Sequence, residues 1–221
     1  MSADLGPDVG TQLRAAIHAP EAAAWLEAQL AGAGEAARFG PAFAAAGRRL
    51  GRAAIRDADA AAITAAGLRW PVTGADECGR AALVLAAVAA MPAEGQLAFV
   101  RDLFRRGEVG ERQAVLRVLA ALPAPARFVE LAIDACRSNV ETVFAAIACD
   151  NDYPARHFPA PAFDQLVLKA LFLGVPLARV AGLAARTTAE LVRMVDAYAS
   201  ERRAAGRPIP ADVELVRRRQ V

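Results

Sequence analysis

A chain of 221 residues and 23.1 kDa can bury a substantial core, and its net charge of +2, drawn from interspersed charges of both signs, favours neither nucleic acid nor an anionic membrane surface. Hydrophobic residues make up 56% of the chain, but many are alanine and only 6% of residues are aromatic, which favours closely packed helices over sheets. Cys78, Cys136 and Cys149 are too few and too widely spaced for a disulfide framework or a compact zinc motif.

The N-terminus, Met1 to Asp8, lacks a basic region followed by an apolar core, so no signal peptide is expected. The longest apolar run, Ala81 to Met91, is too short and alanine-rich to span a bilayer, and a soluble, cytoplasmic protein with no membrane insertion is expected. Met1 to about Asp8 and the tail from about Arg217 have no apolar face to dock and should be poorly fixed.

Glu21 to Leu30 and Phe43 to Ile55 read as alanine-rich helices, and Cys78 to Met91 as a helix closed by Pro92. Leu97, Val100, Leu103 and Phe104 mark the apolar face of the next, which Gly107 can end as a left-handed cap. Val115 to Leu122 belongs to a helix stopped by Pro123, and another opens with Pro125 and shows Phe128, Leu131, Ala132 and Ala135. Ser138 and Glu141, in capping-box spacing, begin a helix that buries Val140, Val143, Phe144 and Ile147.

The rhythm then breaks. Asp150, Asn151 and Asp152 are turn and cap formers, and Pro154, Pro159 and Pro161 argue against helix up to residue 161. Tyr153, His157 and Phe158 should anchor this loop to the body. Phe163 to Val175 is apolar nearly all round and reads as a core helix closed by Gly174 and Pro176. A short element follows over Leu177 to Leu183, then a helix capped by Thr187 and Glu190 with Leu191, Met194, Val195 and Tyr198 inward.

The fold expected is all-α: packed antiparallel helices, as an α-solenoid of HEAT-like architecture or an irregular helical bundle. It is read as a single domain with alanine-rich helices over 1–75, antiparallel helical repeats over 76–148, and the loop with C-terminal helices over 149–221.

Several ordered blocks of the C-terminal half carry a resemblance: Ala135 to Asn139, Phe144 to Phe158, Phe163 to Phe172, Glu190 to Met194, and Tyr198 to Arg207. Over roughly residues 107 to 212 the chain resembles the EboA family. Where the family pattern has asparagine and methionine, this chain has Asp164 and Leu166. The resemblance implies a small helical protein encoded beside a prenyltransferase, a sugar-phosphate cyclase, a TIM-barrel isomerase and a metal-dependent hydrolase. Such clusters are associated with making or exporting a small metabolite. It carries no catalytic residue over to this chain.

The chain has one lysine, Lys169, against twenty-five arginines, and that lysine sits on the apolar helix one turn after Gln165. It could face a pocket, pair with a buried carboxylate such as Asp164 or Glu201, or run its stem along apolar neighbours to water. His157 could be a general base or could be hydrogen-bonded within a tight loop. Cys136, Cys149 and His157 with Asp150 or Asp152 match no compact zinc motif, so no metal and no cofactor is expected.

Tyr198, Glu201 and Arg202 can form an intramolecular polar cluster, or Arg202, Arg203 and Arg207 can clamp an anion. Asp150, Asn151, Tyr153, Arg156, His157, Gln165, Lys169, Tyr198, Glu201 and Arg202 are therefore the candidate binding residues.

No phosphate loop, nucleophile elbow, paired acid–base motif or metal motif stands in the sequence. The function expected is that of a non-catalytic binding or scaffold protein of a metabolite biosynthesis or export cluster. It would hold a partner enzyme from that cluster or a small anionic or aromatic intermediate. The alternative is an enzyme acting on a phosphorylated or prenylated metabolite through Lys169 and His157.

Overall fold

The computed structural model describes residues 8–218. The reading of Met1 to about Asp8 and of the end of the basic tail as poorly fixed falls largely outside those residues. Fourteen α-helices and three short 3-10 turns make up the described fold, with no strand among the described residues, only an isolated bridge between Ala54 and Gly74. The protein is all-α. Its chain packs as two compact units, residues 1–131 and 132–221.

In the first unit, α1 (Val9–Ala15), α2 (Pro20–Leu30), α3 (Ala36–Arg49) and α4 (Asp57–Ala65) precede α5 (Ala75–Ala90), α6 (Ala93–Arg106) and α7 (Val109–Val118). The core helix is α5, which packs against α1, α2, α3 and α7. Cys78, Ala81, Leu83, Val84 and Val88 on it are fully buried. Small residues permit that close packing: a Cβ on Gly79 would meet the Leu50 side chain at 2.0 Å.

Two ion pairs are sunk beside this core, Arg80 to Asp76 at 2.6 Å and Arg117 to Glu77 at 2.5 Å. Burial raises the Glu77 carboxyl, while Arg117 pulls it down.

The expected helix over Phe43 to Ile55 instead starts at Ala36 and stops at Arg49, because alanine gives no periodic mark and Gly51 turns left-handed at φ 74°. Gly107 does follow α6, but with φ −71° and ψ 149°, so it is no left-handed cap. Its place is kept by space: a Cβ there would lie 2.6 Å from the Leu103 carbonyl. The chain beyond α7 tightens into 3-10 turns at Leu119–Ala121 and Pro125–Phe128 before α8 (Val129–Ala135), within which the first unit ends.

The second unit contains α9 (Glu141–Ala148), α10 (Tyr153–His157), α11 (Ala160–Leu173), the 3-10 turn Leu177–Arg179, α12 (Leu183–Arg186), α13 (Ala189–Ala204) and α14 (Val213–Arg217). The Ser138–Glu141 capping box does not form. Val140 is the residue before α9 and is 40% exposed, and the Ser138 hydroxyl accepts from the Val140 N–H in a local turn. The prolines also fail to exclude helix. Pro154 and Pro161 each occupy the first turn of a helix, where a missing N–H costs nothing, so α10 forms and α11 begins at Ala160.

Gly174 ends α11 at φ 73°, as the sequence suggests. The all-round burial of that helix does not hold, because Phe172 is 72% exposed. Thr188, one residue after the expected cap, accepts from the Leu191 N–H and starts α13, while Thr187 donates to the Leu183 carbonyl.

Candidate functional site

The segment after α9 is built around its own backbone. Asp150 takes a left-handed conformation at φ 50°, which a short polar side chain tolerates. Its N–H donates to the Arg179 carbonyl at 2.8 Å, and its carboxylate accepts from both Nε and Nη2 of Arg179 at 2.9 and 2.8 Å.

Asn151 is buried and closes two helix ends at once. Its amide donates to the Ala146 carbonyl and its oxygen accepts from the Tyr153 N–H, both at 2.9 Å. Tyr153 is fully buried, which raises its phenol, and its ring meets His157 at 4.7 Å and Phe158 at 6.4 Å. Burial, helped by nearby Arg156, lowers the His157 imidazole. Arg156 itself pairs at the surface with Asp152 at 3.0 Å.

Arg186, at the end of α12, pins this segment from the other side. It donates to the Ala155 and Phe158 carbonyls, each at 2.7 Å, and its guanidinium lies 4.8 Å from the Phe163 ring centre. Asp164 is buried beside it with one carboxyl oxygen unpaired, and desolvation raises its pKa against the pull of Arg186. Of the three residues expected to anchor the loop, Tyr153 and Phe158 are buried, while His157 is half-buried against the Tyr153 ring. Arg186, which does much of the holding, is invisible in the sequence because one arginine among twenty-five has nothing to mark it.

Lys169 pairs with neither Asp164 nor Glu201. Its ammonium donates to the Cys136 and Ser138 carbonyls, each at 2.7 Å, and lies 5.0 Å from the Phe144 ring centre. It thereby satisfies carbonyls just past the C-terminal end of α8, where a cation also complements the helix dipole. Burial pushes the neighbouring Cys136 thiol up to about 12.

On α13, the Tyr198 hydroxyl donates to the Leu171 carbonyl at 3.2 Å and accepts from Arg202 at 3.4 Å. Arg202 also donates to the Pro208 carbonyl at 2.6 Å and lies 5.6 Å from the Tyr198 ring centre. Of the cluster expected of Tyr198, Glu201 and Arg202, the contact between Tyr198 and Arg202 is present.

Lys169 and Tyr198 face a groove of about 670 Å³, within the 300–1,000 Å³ typical of ligand sites. Leu168, Phe172, Leu173, Met194 and Ala197 give it an apolar wall, and Ser138, Asn139, Gln165, Lys169, Arg193 and Glu201 supply its polar groups. Four of the ten candidate residues therefore meet there: Gln165, Lys169, Tyr198 and Glu201. Asp150, Asn151, Tyr153, Arg156, His157 and Arg202 lie off its wall.

Phe172 and Met194 also line the groove and are absent from the sequence-based candidates, although the spacing holds the signal. Gln165, Leu168, Lys169 and Phe172 form one helical stripe, and Met194, Ala197, Tyr198 and Glu201 another. No group of three or more His, Cys, Asp or Glu side chains among the described residues could hold a metal ion, and no helix among them is long and apolar enough to cross a membrane.

A family model described as metabolite traffic protein EboA matches residues 11–217, nearly the whole chain, where the resemblance in the sequence begins only at about residue 107. Searches of curated proteins and of solved structures find no match.

Proposed function

The chain belongs to the EboA family, and on that premise we propose that it holds a small metabolite, without transforming it, in the groove between α11 and α13. The observation that carries this reading is the wall itself. Exposed Phe172 and Leu173 form one open apolar surface with Leu168 and Met194, beside a cluster of neutral polar groups and a lysine. A water-facing surface leaves large apolar side chains together in a concavity where something covers them.

A small anionic or aromatic intermediate fits that volume, whereas a partner enzyme would have to reach into it with one or two side chains. The enzyme alternative has less support. Lys169 as base or nucleophile needs its Nζ turned to a substrate, and here that nitrogen is engaged by the Cys136 and Ser138 carbonyls, while His157 packs on Tyr153 away from the groove.

Native mass spectrometry of the protein, purified without denaturation from its own cells, tests the reading. A bound small molecule of defined mass is expected on the unaltered chain and absent from Phe172→Asp, a change at an exposed position. No bound mass, or the same mass on both proteins, contradicts it.

A further inference from the structure

We infer that the groove's ligand is an organic anion, with its charged end at Lys169 and its apolar body along Leu168, Phe172 and Met194; this rests on the reading of the groove as a metabolite site. Two cations line the wall, and they differ. Arg193 is chelated by Glu190 through bonds of 2.9 and 2.6 Å, so its charge is already answered. Lys169 is half-buried and bonded to neutral carbonyls and an aromatic face, with no carboxylate within ion-pair distance among the described residues. A cation drawn partly out of water without a counter-charge interacts strongly with an anion brought beside it, because local screening is weak.

The groups around it suit that arrival. Ser138, Asn139 and Gln165 are neutral, and the side-chain amides of Asn139 and Gln165 make no hydrogen bond among the described residues and belong to exposed residues lining the groove. They can donate to the oxygens of a carboxylate, sulfonate or phosphate head. Glu201 is the one carboxylate on the wall, and it lies on α13, whereas the neutral polar groups and Lys169 come from the α8–α9 turn and α11. The apolar residues of α11 continue from Lys169 as Phe172 and Leu173, which directs the ligand body along that helix.

Two fluorescent probes with the same aromatic body separate charge from apolar contact: anilinonaphthalene sulfonate and the uncharged phenylnaphthylamine. On the full chain the sulfonate should bind about tenfold more tightly, the range of a charge-assisted hydrogen bond. Added salt should weaken the sulfonate alone. Lys169→Met, which keeps the stem, should erase the difference and leave the uncharged probe unchanged, and Phe172→Asp should weaken both.

Equal affinity of the two probes, a preference that high salt leaves intact, or a Lys169→Met variant that weakens both alike overturns the anion assignment. The salt titration decides on the unaltered protein should that variant fold poorly. If Phe172→Asp changes neither probe, the groove reading itself fails instead.

Discussion

Replacing Arg186 with methionine tests what holds the α10 segment in place. The guanidinium supplies two bonds of 2.7 Å to the Ala155 and Phe158 carbonyls and a face-on contact with Phe163. Each charge-assisted bond is worth about 1.5–3 kcal/mol and the ring contact about 1 kcal/mol. Methionine keeps much of the apolar contact with Phe163, and water can reach part of the freed backbone, so the net loss should be about 3 kcal/mol. At about 2–4 °C per kcal/mol for a chain of this size, the melting temperature should fall by about 6–12 °C.

The chain provides its own reporters. Tyr153 and Tyr198 both lie in the 132–221 unit, while Trp25 and Trp70 lie in the 1–131 unit. Urea unfolding followed by the near-ultraviolet tyrosine signal should show the loss as a lower midpoint with an unchanged slope. A loss below about 0.5 kcal/mol, the usual range of a surface substitution, would refute the pinning role.

Asn151→Ala strands the Ala146 carbonyl and the Tyr153 N–H in a buried place and should cost about 2–4 kcal/mol in the same assay. Asp164 has its pKa raised in the fold, so it binds its proton more tightly folded than unfolded. Its contribution to stability is present at low pH and lost as pH rises through the carboxyl range. Asp164→Asn should therefore stabilise the protein at neutral pH, with the gain vanishing below about pH 4; a gain independent of pH would show that the carboxyl is not the cause. Two glycine-to-alanine changes in helices should have opposite signs. At Gly95 an added Cβ would have nothing within 4 Å, and stability should rise by about 0.5–1 kcal/mol, whereas at Gly47 the Cβ would sit 2.9 Å from Arg80, itself pinned by Asp76, and stability should fall.

How much of this is legible in the sequence depends on the residue type. Gly174, Phe163 and Leu191 identify themselves through cap chemistry and periodicity, and α5, α9, α11 and α13 can be read within a few residues, whereas α10 and α14 are not read as helices. The N-terminal helices are harder because alanine is equally at home on every face, so α3 is displaced in the sequence reading and α1 and α4 give no signal. Pro154 and Pro161 look like helix breakers until their positions in the first turn make them helix starters.

Lys169 stands out by its rarity, and it does reach the groove. Its partners are carbonyls, and main-chain acceptors leave no trace in a side-chain pattern. Tyr153 and Asn151 draw attention for the same compositional reason, yet their hydrogen bonds and burial make them fasteners of the turn.

Methionine methyl signals give the most direct view of the groove. Met194 lies on its wall, whereas Met91 belongs to the other unit. With the methionine methyls carbon-labelled, a small-molecule extract of the protein's own cells should shift the Met194 resonance in nuclear magnetic resonance spectra, leave Met91 in place, and lose its effect in Phe172→Asp. A Met194 signal that stays fixed, or one that moves equally in the variant, would contradict the account of α11 and α13 as the walls of a metabolite site.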